Sequence, residues 1–388
     1  MSKNQKGKSI IMRRIICTAC MLFILLVARL YANEAIEGIY KTTDKEEEQK
    51  QFLIKLNQDN RKIDLAIENT KLLIDRSRSK PYVPELYMRM AELYIEKAKV
   101  VYFIQKEKTG REKASSLNKF EYEVFKTRAV EIYQRILDHY PDYSDRDKVY
   151  FFMAHEQREL NNIDEMVNCY KTLIKNHPKS NYIPEAYLLL GDYYFAQQEL
   201  ELSTDHYKKV LDYPKSPAIA IARYKLAWCF INVVDYENAI KLFEEAVRDI
   251  EANKELDVDT YRHVDVRLES LIDMAYCYPE YYKKSTPEEA LDYFKRYSWS
   301  RQSYTIVMEK LANRYFAKRN WEMAATLYRE LCDIRQDPAK LLEYCNSIFE
   351  CVQAIGTYDS ADRDVDIIVN ALKRQKYSIN VEESQKKK

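Results

Sequence analysis

The chain has 388 residues, 46% of them hydrophobic and 32% charged, too long for one ordinary hydrophobic core and suited to several domains or a repeat array. A formal net charge of +1 gives no global field that would draw nucleic acid or a membrane surface. Five glycines beside ten prolines and 33 tyrosines argue against folds built on many tight turns, all-β or doubly wound α/β, and favour helices joined by short Pro-marked loops.

The N-terminus reads as a targeting segment. "MSKNQKGKSIIMRR" is basic, Ile15 to Ala28 is an apolar run, and "RLYA" ends on a small residue. Basic start, short apolar run and small residue describe a secretory signal peptide over 1–32, and the run is short for a membrane span. The expectation is an exported chain, periplasmic or associated with a cell envelope; the alternative is an uncleaved inner-membrane anchor. A polar linker is expected over 33–46, and a disordered charged tail over 374–388.

Between these ends the chain repeats itself. "PELYMRMAELYI" from Pro84 returns as "PEAYLLLGDYYF" from Pro184. Numbered from that Pro, place four is Tyr, place eight is Ala or Gly, and place eleven is Tyr. The same phase continues through Tyr150, Met153 and Ala154, through Leu226, Ala227 and Phe230, and through Leu311, Ala312 and Tyr315. A second stripe follows each first one, as in Ala239, Phe243 and Ala246 or Ala324, Tyr328 and Leu331. Each unit thus predicts two short helices, with a small residue where the pair crosses closely.

This large–Leu–small–Tyr helix, followed by an Ala–aromatic–Ala helix and a closing Pro, resembles the tetratricopeptide repeat. The resemblance implies an all-α superhelical solenoid of about eight helix pairs over 47–373. A first copy is expected at about 47–80 on Leu53, Ala66 and Leu73. The second copy carries an insertion at about 98–127, expected to form two over-long helices that protrude as a hairpin turning at Thr109–Gly110.

Groups for chemistry are scarce. The five histidines form no HExxH motif and no Cys/His ligand set, and no Gly-rich phosphate loop or G-x-S-x-G is present. The expectation is a protein that is not an enzyme, with no catalytic residue, cofactor or metal. The six cysteines beyond the leader sit beside apolar stripes and are expected to be buried thiols.

Binding remains. The resemblance implies that first helices line a concave groove with places two, five, six, nine, twelve and thirteen. Those places hold Phe151, Phe152 and His155, then Leu188, Leu189 and Phe195, then Tyr224, Trp228 and Ile231, then Tyr276. Clustered aromatics of this kind either mark a partner site or pack between neighbouring first helices. The repeats are similar in style to those of bacterial envelope proteins of outer-membrane assembly, the Tol–Pal system, and gliding or flagellar motility. The expected function is a non-enzymatic scaffold of a cell-envelope assembly, binding a segment of another envelope protein and no nucleic acid. Membrane association would come through partners or the N-terminal segment. Alternatives are a groove that binds or acts on peptidoglycan- or lipid-like molecules, and a membrane-anchored cytoplasmic adaptor.

Overall fold

The structure, a computed structural model, describes residues 47–109, 119–252, 266–335, 337–356, 363–367, 369, 370 and 373. The expected leader and linker, Gly110 of the expected hairpin turn and the tail from 374 lie outside the described residues. Every regular element among the described residues is a helix. The chain divides into two compact units, up to Cys169 and from Tyr170.

The first unit opens with α1 (47–76), α2 (Val83–Thr109), α3 (Lys119–His139) and α4 (Arg146–Glu159); the division falls within α5 (Ile163–Asn176). Here the expectation of a first helix pair at 47–80 is corrected. Residues 47–76 form one unbroken helix, because no Gly or Pro interrupts them and because α2 is long enough to support it. Lys97 of α2 binds Asp64 of α1 at 2.6 Å, and Gln49 Nε2 donates to the Glu107 carboxylate at 2.9 Å. The helices therefore run antiparallel.

The insertion lengthens α2 to 27 residues and α3 to 21, against 14 for α4. Tyr94 stacks on Phe125 at 6.4 Å, Tyr102 meets Tyr122 edge-on at 5.6 Å, and Arg128 lies 5.7 Å from both the Tyr94 and Phe125 rings. Val101 and Ile104 are buried. Apolar contacts thus hold the long pair together, while α1 flanks it.

The second unit stacks four complete pairs: α6 (Ile183–Ala196) with α7 (Leu200–Leu211), α8 (Ile219–Asn232) with α9 (Tyr236–Ala252), α10 (Arg267–Tyr281) with α11 (Pro287–Tyr297), and α12 (Arg301–Ala317) with α13 (Trp321–Ile334). Then comes α14 (Pro338–Ile355), followed by helical residues 363–367. There the buried Asp364 takes a two-pronged contact from Arg329 of α13, at 2.6 and 2.8 Å. Local signals set the boundaries. Thr286 and Glu289 form a capping box before α11, with Pro287 in its first turn, and Asn320 caps α13. Gly356 closes α14 at φ +74°.

In the second unit each pair closes by the same contact. A small residue on the first helix (Gly191, Ala227, Ala275, Ala312) is buried, and so is an aromatic on the second (Tyr207, Phe243, Phe294, Tyr328). Gly191 shows why the residue must be small: a Cβ there would lie 2.5 Å from the Tyr207 ring. The Tyr207 hydroxyl then donates to Asp192 and that of Tyr328 to Asn313, each at 2.7 Å. The tips repeat as well. Asn161, Gln198, Val234 and Arg319 take φ of +63°, +63°, +64° and +58°. The next amide returns to a helix carbonyl at 2.8 to 3.0 Å in each, ending the first helix as a Schellman motif does. No helix among the described residues is long and apolar enough to cross a membrane.

Candidate functional site

The ten candidate groove residues fall in both units. In the first, Phe151 is buried and meets Phe152 at 5.6 Å and His155 at 4.8 Å, both edge-on. Phe151 is thus core, which corrects its place on an open groove: the α4 face carrying it is covered. Phe152 is half-buried, with the Lys148 ammonium 5.8 Å from its ring. Burial, with Arg158 adding to it, lowers the His155 pKa to about 4, so at neutral pH the ring is an uncharged packing element.

In the second unit Leu188 is also buried, in a cluster with Tyr207, Val210 and Leu226, so it too is removed from the groove. Phe195 packs on that cluster half-buried, and Leu189 is half-buried. Tyr224, Trp228 and Ile231 of α8 pack half-buried on the core formed with α10 and α12. Tyr224 and Trp228, one helical turn apart, aim at one atom: the Tyr224 hydroxyl and the Trp228 indole N–H each donate to Asp273 Oδ2 at 3.0 Å. Burial pushes the Asp273 carboxyl above its ordinary range, against the pull of these two donors. Burial likewise pushes the Tyr224 hydroxyl up to about 12.

Asp273 has no place among the candidates drawn from sequence, although a signal for it exists. It occupies the place held by Phe152 and Leu189 in earlier repeats. A carboxylate set on this half-buried face requires donors from a neighbouring repeat.

Tyr276, one turn further along α10, is 39% exposed, the most open of the ten. Arg314 of α12 lies 4.0 Å from its ring and donates to Glu280 at 2.9 Å, which also takes Lys318 at 2.8 Å. The first-helix face of α8, α10 and α12 is thus a strip of anchored aromatics that ends on one open ring backed by a held guanidinium. Toward the C-terminus it continues into exposed Glu343, Asn346, Glu350 and Gln353 on α14. The face offers apolar contact, cation–π geometry and hydrogen bonding. Among the described residues no group of three or more His, Cys, Asp or Glu side chains is placed to hold a metal. The six cysteines Cys169, Cys229, Cys277, Cys332, Cys345 and Cys351 are free and buried.

Helix pairs that each bury a small residue under an aromatic and contact only the next pair define a helical-repeat protein. Residues 153–217 match the family model described as tetratricopeptide repeat. Over those residues the chain carries tetratricopeptide-type repeats. Among solved structures it is similar to the C-terminal part of a tetratricopeptide repeat-containing protein from Cytophaga hutchinsonii, at 12% identity over 76% of this chain and 98% of that one, with a TM-score of 0.45. It is also similar to YrrB, described as a TPR protein with an unusual peptide-binding site, at 17% identity over 55% and 97% with a TM-score of 0.36. For yeast Tom70 the identity is 13% over 76% and 59%, with a TM-score of 0.34. A search of curated proteins finds no match.

Proposed function

We propose that the protein is a non-enzymatic scaffold that binds a segment of another cell-envelope protein along the first-helix face of α8, α10 and α12. The exposed Tyr276 ring on the Arg314 guanidinium carries this reading. An aromatic held rigid by a neighbouring cation has little entropy left to lose on binding, the property that lets aromatic and Arg side chains dominate interfaces. Trp228 serves the same face from beneath by fixing Asp273 between repeats. The reading includes export, with residues 1–32 as a cleaved leader.

A photo-crosslinking amino acid at Tyr276 in growing cells is the test, with the same group at Leu202, exposed on the second helix α7, as control. The expected result is an adduct with one envelope protein from position 276 and none from 202. Tyr276→Ala should then weaken capture of that protein at least about tenfold, as loss of an aromatic anchor does, while the melting temperature stays put. No adduct from position 276, or the same adducts from both positions, would falsify the assignment.

A further inference from the structure

α1 is apolar on two opposite sides. Leu56, Thr70 and Ile74 are buried on the side toward α2. Ile54, Leu65 and Leu72 are 43%, 61% and 53% exposed. At about 100° per residue, these three lie within about 20° of one line along the helix, and that line is roughly 180° from the buried one. The outermost helix of a repeat array ordinarily presents a polar face to water, and a helix with apolar residues on both sides ordinarily has both covered. Two charges share the exposed line, Arg61 and Glu68. Neither forms an ion pair with another of the described residues.

We propose that α1 is the interface of a homodimer, in which a second copy lays its own α1 antiparallel across this line. The sequence along the line is self-complementary in that direction. Ile54 faces the partner's Leu72, Leu65 packs on the aliphatic stem of the partner's Arg61, and Arg61 reaches the partner's Glu68. Two-fold symmetry makes each contact twice. A parallel pairing would instead set Arg61 on its own copy and Glu68 on its own copy, which like-charge repulsion opposes. The apolar line from Ile54 to Leu72 spans about 27 Å of helix, a small contact that forms a reversible dimer.

Sedimentation velocity of the full chain from about 1 to about 100 µM, the range in which small interfaces dissociate, reads the equilibrium. The expected result is a monomer–dimer exchange in which Leu65→Asp raises the dissociation constant at least about tenfold with an unchanged melting temperature. Arg61→Glu and Glu68→Arg should each weaken the dimer, and the double exchange R61E/E68R should restore it. Mixing Ile54→Cys with Leu72→Cys should give an interchain disulfide that Ile54→Cys alone does not, since the six cysteines of the described residues are buried. A monomer throughout, as would follow if residues before 47 cover the line, overturns the proposal. So does a dimer indifferent to Leu65→Asp, or one that Ile54→Cys links to itself.

Discussion

Val234 stands where Asn161, Gln198 and Arg319 stand in other repeats, in left-handed backbone with its side chain 68% exposed. A β-branched residue meets its own carbonyl in that conformation, whereas Asn adopts it at small cost. Val234→Asn should therefore raise stability by about 1 kcal/mol, read as a higher melting temperature. Gly191 presents the opposite case. Alanine is the better helix former by about 1 kcal/mol, yet the added Cβ would strike the Tyr207 ring. That ring is buried and tied to Asp192, so it has no room to yield. Gly191→Ala should lower stability by about 2 kcal/mol, as overpacking does. His155 adds a pH dependence. Its folded pKa is depressed to about 4 from an ordinary value of about 6.5. The neutral ring's contribution is complete above the ordinary value and is lost as pH falls toward 4, where the unfolded chain takes the proton first. Melting temperature should drop between about pH 6.5 and pH 4, and His155→Phe should flatten that slope.

The long helices of the first unit show how far a repeat pattern carries and where it stops. That α2 and α3 are over-long was legible, because the apolar residues of the insertion keep helical spacing between two ends of one repeat. That 47–76 is a single helix was not. Leu53, Ala66 and Leu73 match the places of a helix pair, and only the support of α2 from Lys97 to Glu107 decides for continuity. The contacts at both ends place Leu56 beside Val101 and Ile104, all three of them buried. Excising 99–125 and joining the shortened helices should consequently do more than remove a protrusion. The half of α1 before Asn60 should lose amide protection in hydrogen exchange, while the half bound through Asp64 to Lys97 keeps it.

Across the second unit the order of contacts follows the order of the chain, each pair touching the next. Strain at one pair should stay near it. In the Gly191→Ala variant, exchange should accelerate through α6 to α9 and stay at its native rate in α12 to α14, the behaviour of a nearest-neighbour array. The same locality made the fold readable, since one motif repeated in phase suffices to specify it. The candidate face was less readable. Periodicity places Phe151, Leu188, Trp228 and Tyr276 on one face of the first helices, but whether a side chain is open depends on what the adjacent repeat sends across it. Leu188 is covered by its own pair and the next, Trp228 is drawn to Asp273, and Tyr276 is left open above Arg314. The buried thiols also lend the array a use beyond packing. Burial holds Cys169 up to about 11, Cys277 up to about 12 and Cys351 up to about 11, so these three offer an alkylating reagent almost no thiolate while folded. Each sulfur becomes available only when its own stretch of helix opens, and the six are distributed from α5 to α14. Mass spectrometry of tagged peptides over time would record where this protein first breathes, with the natural sequence supplying every probe.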